Sequence, residues 1–301
     1  MKDVTAGEAW GSPQALNSGG GSVVRRILLG SQLRRLRESH GITREAAGYS
    51  IRASESKISR MELGRVSFKT RDVADLLTLY GVDDEAERSA LLSLAKEANV
   101  AGWWHSYSDV LPGWFPTYLG LEGAATQIRG YEAQFVHGLL QTEGYAHAVV
   151  EQGMKGAARE DIERRVALRI ERQKLLVDER APEVHIVLDE ATVRRVQGGR
   201  EVMRGQLEHL IELASLPHLT LQIMPFSHGW HPGESGTFTI LTFPESDLSD
   251  VVFLEQLTSA LYLDKREDVA QYEKAMTELS DQCPSPEDSV RLLRDALSEL
   301  A

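Results

Sequence analysis

The stretch GITREAAGYSIRASESKISRMELGR, residues 41–65, predicts two short helices joined by a turn. Thr43 and Ser54 are placed as N-caps, because a serine or threonine hydroxyl accepts a hydrogen bond from the backbone N–H groups at a helix start. Gly41 lies just past the preceding helix and Gly64 just past the second one, where a left-handed residue commonly ends a helix. The stretch therefore contains its own start and stop signals.

The small and apolar residues of these helices predict how they pack. Ala46 and Ala47 permit a close crossing in the first helix, and Ile58 and Met61 share an inward face of the second. The opposite face of the second helix is polar and remains available to another molecule. These are the packing requirements of a helix-turn-helix.

The neighbouring sequence extends the pair to five short helices between about Ser31 and Ala98. The segment DDEAERSALLSLAKEA, the fifth helix, starts with acidic residues, as the helix dipole favours. The fourth helix has its apolar side chains on one inward face: Val73, Leu76, Leu77 and Tyr80. We therefore predict an all-α N-terminal domain of five helices.

Charge separates this segment from the rest of the chain. The 301 residues carry a formal net charge of −12, yet residues 23–71 contain twelve basic and four acidic residues, a net charge of +8. The remainder therefore carries −20. A basic module joined to an acidic body favours binding of a polyanion at one end only.

The bulk composition restricts the compartment. Cys283 is the single cysteine, so no intrachain disulfide forms, and a reducing cytoplasm is the expected setting. No apolar run approaches the roughly 18 residues of a membrane span, and the N-terminus lacks the pattern of a secretory signal. We expect a cytoplasmic protein without a membrane partner.

Composition also predicts three parts of the chain. We expect residues 1–22, which end in NSGGGS, to be a disordered arm. Residues 23–98 are then the helical domain, and residues 99–301 are an α+β domain for sensing or dimerisation. The second domain opens with a mainly helical stretch to about Val177. Segments of period two follow, and they predict a mostly antiparallel or mixed sheet: EVHIVL, LTLQIMP, GTFTILTF, VVFLEQ and SALYL.

Residues 31–82 resemble the lambda-repressor/Cro-like, or XRE-type, helix-turn-helix regulators. The positions that match the family pattern are Gly41, Ile42, Thr43, Glu45, Ser54, Ile58, Ser59, Met61, Glu62 and Gly64. Two positions depart from it, because Arg44 stands where glutamine often contacts phosphate and Arg52 stands where many members have the turn glycine. The resemblance implies double-stranded DNA as the partner.

The resemblance also implies which side chains contact DNA. Ser54 and Arg44 would hold the DNA backbone, Glu55 and Ser56 would face base edges, and either role is open to Ser59 and Arg60. Glutamate accepts a hydrogen bond from cytosine N4 and arginine pairs with guanine, so Glu55 and Arg60 are candidates for base discrimination.

Other charged residues of the helical domain are expected to act differently. Phosphate neutralisation is the expected role of three cations: Lys57, Lys69 and Arg71. Glu62 is expected to be structural and to tie its helix to one of three arginines: Arg34, Arg35 or Arg37.

From about Ala101 the chain resembles the C-terminal domain of unknown function of actinomycete helix-turn-helix regulators. The resemblance depends on WW, WF..Y..LE..A and GLLQT..YA. Many such regulators are described as antitoxin-like and are encoded beside a small partner protein, which this resemblance implies as a partner here. His137 stands where that family usually has proline, and the family brings no established chemistry.

The aromatic residues of the second domain allow two interpretations. They form either a core or a site for a flat effector or a partner's helix, and the residues concerned are Trp103, Trp104, Tyr107, Trp114, Phe115 and Tyr118. The histidines of SHGWHPGE match no metal-site spacing, Cys283 has no nearby histidine, and the GES at 233–235 lacks the flanks of a nucleophile elbow. We expect no metal, no cofactor, no catalytic residue and no enzymatic activity.

The sequence thus predicts a sequence-specific, DNA-binding transcription regulator. We expect it to be a homodimer, joined through apolar strands such as VVFL and TFTILTF or the aromatic group. A small partner protein or a small-molecule effector would modulate it through the second domain. The alternative is an antitoxin-like interaction module that sequesters a small partner protein, with DNA binding secondary.

Overall fold

The computed structural model describes residues 21–244 and 248–300. The five predicted N-terminal helices are present: α1 (Gly21–Ser39), α2 (Arg44–Ser50), α3 (Glu55–Glu62), α4 (Thr70–Leu79) and α5 (Glu85–Glu97). They enclose one core, to which the predicted inward residues contribute: Ile58, Met61, Val73, Leu76, Leu77 and Tyr80. The all-α fold of this region is therefore confirmed.

Helix α1 extends further toward the N-terminus than predicted. It includes Gly21 and Ser22, which the sequence assigned to the disordered arm, while residues 1–20 of that arm lie outside the described part of the chain. Val23 and Val24 pack into the core of the second domain, whereas Leu29 and Leu33 pack among the five helices. Because α1 presents apolar residues to two cores, its sequence shows no single apolar stripe, and the helix start was placed about ten residues too late.

The second domain is α+β, as predicted. Its helices are α6 (Phe115–Glu122), α7 (Glu143–Gly153), α8 (Arg159–Arg172), α9 (Glu190–Arg194), α10 (Arg200–Leu213), α11 (Arg266–Gln282) and α12 (Pro286–Ser298). Its strands are β1 (Gln127–Glu132), β2 (Glu183–Asp189), β3 (Leu219–Met224), β4 (Phe238–Thr242), β5 (Val251–Glu255) and β6 (Ala260–Leu263). The order of strands across the sheet is β3-β2-β1-β4-β5-β6. The β3–β2 and β2–β1 pairs are parallel, whereas the β1–β4, β4–β5 and β5–β6 pairs are antiparallel. The sheet is therefore mixed.

Strand β1 was missed by the sequence reasoning, which assigned residues up to Val177 as mainly helical. It lies between β2 and β4 near the centre of the sheet. Its sequence, QIRGYE, has a glycine and an arginine at successive positions, which weakens the strand pattern. The glycine has a packing reason, since a Cβ at Gly130 would lie 3.0 Å from the carbonyl oxygen of Phe238 on β4.

Both faces of the sheet are covered by helices. One face packs with α6, α10, α12 and the start of α1, and the other packs on α11 through Val269, Met276 and Leu279. Strands β4 and β5 are internal and their side chains are largely buried. The expectation that VVFL and TFTILTF form a dimer interface is therefore wrong, because these segments already fill the core of their own domain. Within the described residues, no helix is both long and apolar enough to cross a membrane.

Candidate nucleic-acid interface

Helices α2 and α3 cross closely because small residues line their junction. Ala47 is fully buried, and a Cβ at Gly48 would lie 2.7 Å from the carbonyl oxygen of Ala53. Ala46, which the sequence also placed at the crossing, is exposed. The predicted N-caps are confirmed: the hydroxyl of Thr43 accepts from the N–H of Ala46 at 3.1 Å, and that of Ser54 accepts from the N–H of Lys57 at 3.2 Å.

The turn between α2 and α3 keeps its left-handed residue without a glycine. Arg52 has φ of +54°, the one positive φ at a non-glycine residue in the described part of the chain. Its N–H donates to the carbonyl of Tyr49 at 3.1 Å, and the next N–H, of Ala53, donates to Gly48 at 2.8 Å. The arginine therefore adopts the conformation that a glycine would adopt more easily.

The polar face of α3 is open to solvent. Glu55, Ser56 and Arg60 are exposed, and Ser59 is half-buried beside them. Ser54, at the start of α3, is also exposed, and its hydroxyl can still donate while it caps the helix. This face thus offers an acceptor, several hydroxyls and a guanidinium at the surface, the groups that read base edges and phosphates.

Arg44 and Lys57, two of the predicted phosphate contacts, form ion pairs within the domain. The carboxylate of Glu62 is buried and accepts from Arg37 at 2.5 Å and from Arg44 at 2.9 Å, and the bond with Glu62 raises the pKa of Arg37. Glu62 is therefore structural, with Arg37 as its partner among the three proposed. Lys57 is half-buried and pairs with Asp72 on α4 at 2.6 Å.

The cations that remain available differ in part from those the sequence named. Lys69 and Arg71 are exposed at the start of α4, and the Arg71 guanidinium lies 3.9 Å from the carboxylate of Asp75. In the described ranges, no carboxylate lies within ion-pair distance of four exposed cations of this region: Arg52, Arg60, Arg65 and Lys69. Arg65 was missed because it follows the motif rather than lying in it.

The aromatic residues singled out in the second domain do not form one surface. Trp104 is buried in the core, and Trp103, 37 % exposed, makes edge-on contacts with Trp104 and with Tyr107. Phe115 and Tyr118 stack at 5.5 Å on α6 and line a cavity. The backbone carbonyl of Trp114 accepts a 2.8 Å bond from the Tyr262 hydroxyl, which ties this segment to β6.

Two family models match the chain. Residues 28–91 match a model described as a helix-turn-helix domain, and residues 115–295, more than half of the chain, match the domain of unknown function DUF5753. The chain belongs to the DUF5753 family. No curated protein and no solved structure matches it.

The DUF5753 domain keeps a proline-like turn at His137. The backbone of His137, with φ of −52° and ψ of 139°, is one that a proline also adopts. Its ring Nδ1 accepts from the N–H of Leu139 at 3.3 Å, so the side chain caps the short 3₁₀ turn that follows. Burial, together with Arg172 and Arg169, lowers the pKa of His137 to about 3, which keeps the ring neutral.

A helix-turn-helix domain indicates a DNA-binding regulator. The DUF5753 match assigns no function to the second domain.

Proposed function

We propose that this protein is a sequence-specific DNA-binding transcription regulator of the XRE type that acts as a homodimer and is modulated through its DUF5753 domain. The observation that carries the proposal is the exposed polar face of α3, presented by a helix that is anchored through buried Ile58 and Met61. In a helix-turn-helix, the second helix enters the major groove and the first crosses the backbone. Glu55, Ser56 and Arg60 are then the candidate base-reading residues.

The electrostatics of the domain support this orientation. Exposed cations flank α3 on both sides in sequence, with Arg52 before it and Arg65 and Lys69 after it. Lys57 and Arg44 contribute mainly to the fold through their ion pairs with Asp72 and Glu62. Phosphate contacts therefore fall chiefly to residues in the turns around α3 and at the start of α4.

A homodimer is proposed because one helix-turn-helix reads only a few base pairs, and two half-sites about 34–36 Å apart give useful specificity. Strand β6 is at an edge of the sheet and carries Leu261, which is 52 % exposed, and Leu257 in the preceding hairpin is 99 % exposed. These two leucines supply an apolar surface that the buried strands β4 and β5 do not. Light scattering on the full chain tests the oligomeric state.

Modulation through the second domain includes a small partner protein as one input. Phe226 and Trp230 are 61 % and 68 % exposed in the loop after β3, and two large exposed apolar side chains in one loop favour a protein contact. We propose no enzymatic role. Burial raises the pKa of Cys283 to about 12, so its thiol is protonated at neutral pH and is a poor nucleophile.

The test is the salt dependence of binding to DNA from upstream of the protein's own gene. Affinity should fall steeply with salt, because each neutralised phosphate releases counterions and contributes a slope of about −0.9 in log–log form. Lys69→Gln should reduce the slope by about one. Arg159→Gln, which removes an exposed arginine of the DUF5753 domain, is the matched control and should leave it unchanged. Affinity that is flat between low and moderate salt would refute the proposal.

A further inference from the structure

A cavity of about 260 Å³ lies inside the DUF5753 domain, between α6, α8 and the β4–β5 part of the sheet. Its volume is just below the roughly 300–1,000 Å³ of pockets that hold drug-sized ligands. One wall is apolar and aromatic: Phe115 and Tyr118 stack at 5.5 Å, and Phe253 approaches Tyr118 with ring centroids 4.3 Å apart. A small, flat apolar group fits such a wall.

A second part of the lining is cationic. Arg165, Arg169 and Arg172 occur at spacings of four and three on α8, so all three side chains project to the same side of the helix and line the cavity. Arg172 is neutralised by Glu122 through two bonds, of 2.7 and 2.8 Å, and its guanidinium lies over the rings of Phe115 and Tyr118. This pair is part of the fold rather than free for a ligand.

The other two arginines donate hydrogen bonds to neutral groups. Arg169 donates to the side-chain oxygen of Gln141 at 2.8 Å, and Arg165 donates to the carbonyl of Val110 at 2.6 Å. Among the described residues, neither forms an ion pair within 4.0 Å. Burial and repulsion from Arg172 lower the pKa of Arg169 to about 10. Both guanidiniums are half-buried, and Glu255 on the cavity lining attracts each of them without forming an ion pair, so both keep N–H donors for an anion in the cavity.

Two further polar groups of the lining favour an anion as well. Because Nδ1 of His137 accepts from Leu139, the proton of the neutral ring is assigned to Nε2, which makes it a donor. Burial, and then Glu255, raise the pKa of Glu132 to about 8, so its carboxyl is largely protonated at neutral pH and also donates. Glu255 also lines the cavity, and it is exposed to solvent.

We propose that this cavity binds a small organic oxyanion, a carboxylate or phosphate joined to a flat apolar group, with the anion on Arg165 and Arg169 and the apolar group against Phe115 and Phe253. The ligand would be the effector of the regulator, a second step that rests on the proposed function. Helix α6 provides the connection, because it carries Phe115 and Tyr118 on the cavity side.

On its other side α6 contacts α1. A Cβ at Gly120 would lie 2.1 Å from Cγ2 of Val23, so the two helices are in the closest contact that their side chains allow. Helix α1 continues into the core of the DNA-binding domain through Leu29 and Leu33. A ligand that reorients α6 would therefore move the helix on which the helix-turn-helix is built, and so bias its affinity for DNA.

Binding is tested on the full chain by calorimetry with four probes: phenylacetate, phenyl phosphate, inorganic phosphate and the neutral phenylacetamide. Saturable binding of phenylacetate or phenyl phosphate, with no binding of phenylacetamide, is expected. The preferred one of the two aryl anions identifies the source as a carboxylate or a phosphate ester. Equal binding of phenylacetamide, or no binding of either aryl anion at millimolar concentration, would overturn the site, and so would inorganic phosphate binding as tightly as the aryl anions.

The variants locate the site. Arg169→Gln and Arg165→Gln should each weaken the aryl anion by about tenfold to a hundredfold, the effect of losing a charge-assisted bond. Arg159→Gln, on the same helix but exposed and paired with Glu163, should bind as the parent does. The circular dichroism spectrum of each variant should match that of the parent, which shows that it is folded. If three such folded variants bound the aryl anion with equal affinity, the assignment would be overturned.

Regulation is tested separately, by measuring operator affinity with and without the aryl anion that binds. The anion should change the DNA affinity of the parent at least fivefold and leave that of Arg169→Gln unchanged. A bound anion without effect on DNA affinity would overturn the effector step and leave the site intact. Absence of DNA binding in either state would instead contradict the proposed function, while the calorimetric result would be unaffected.

Discussion

The turn of the helix-turn-helix depends on a single backbone conformation at Arg52. An L-residue in the left-handed region is disfavoured by roughly 1–2 kcal/mol, because Cβ approaches the following carbonyl oxygen. The surrounding turn holds Arg52 there at φ +54°. The side chain is exposed and, in the described ranges, has no carboxylate partner, so the arginine does not contribute to the stability of the fold through an ion pair.

Arg52→Gly should therefore raise the free energy of unfolding by about 1 kcal/mol, which combines relief of the left-handed strain with the entropy cost of glycine. Arg52→Ala is the matched control, because it removes the guanidinium but keeps a Cβ, and it should give no increase. Urea unfolding of the two variants measures the difference. Equal stabilities would show that the turn is not strained.

Glu132 makes stability depend on pH. Its pKa in the folded protein is about 8, against an ordinary value of 4.5, because of burial and Glu255, with Arg172 and Arg169 opposing. Between these two values the folded protein holds a proton that the unfolded chain has released. Stability should therefore decrease as pH rises through this window.

Glu132→Gln cannot ionise and should remove that decrease. The variant and the parent should be similarly stable near about pH 5, and the variant should be more stable near about pH 9. Urea unfolding across this range measures the effect. Glu163→Gln, at an exposed position on α8, should follow the parent, and a Glu132→Gln profile parallel to the parent would contradict the assignment.

At the scale of the element, α3 has two faces with separate tasks. Ile58 and Met61 fix the helix in the core, and Glu62 holds it to α1 through Arg37 and to α2 through Arg44. Removal of Arg44 or Lys57 would therefore disturb the domain as well as any phosphate contact. A test of base reading needs variants that leave these ion pairs intact.

Glu55→Ala and Ser56→Ala should change which base pair is tolerated at one operator position, by on the order of 1–3 kcal/mol. Lys69→Ala should weaken binding to all sequences to a similar degree, because it removes a phosphate contact without a structural partner. Binding to a set of single-base operator variants distinguishes the two patterns. The reverse pattern would show that another face of α3 meets the DNA.

At the scale of the whole molecule, α1 belongs to two cores. Val23 and Val24 pack in the second domain and Leu29 and Leu33 in the first, along one continuous helix. Arg25, between them, pairs with Glu97 of α5 at 3.0 Å. The two domains are thus joined by a buried helix in addition to the linker that follows α5.

Val24→Ala should loosen both domains, although the side chain lies in only one core. The free energy of unfolding should fall by about 0.5–3 kcal/mol, the usual range for truncation of a buried aliphatic side chain. Hydrogen exchange of the backbone amides measures the effect in each domain. Peptides from α3, in the first domain, and from β1, in the second, should both exchange faster in the variant than in the parent. Val196→Ala, at an exposed valine, is the control, and an unchanged α3 would show that the domains unfold independently.

The sequence by itself determined the local features of this protein. Thr43, Ser54, Gly41 and Gly64 placed the helix ends, and the apolar spacing of α3 and α4 identified their buried faces, because caps and amphipathic periods act within a few residues. The structural role of Glu62 was also predicted from its position.

Only the tertiary structure decided what depends on residues far apart in the chain. It placed β1 at the centre of the sheet, where packing between β2 and β4 overrides the weak strand pattern of its sequence. It paired Lys57 with Asp72 and divided α1 between two cores. It also brought the arginines of α8 and the aromatic residues of α6 to the same cavity. The physical reason is that burial and charge pairing are set by neighbours in space, which local periodicity does not encode.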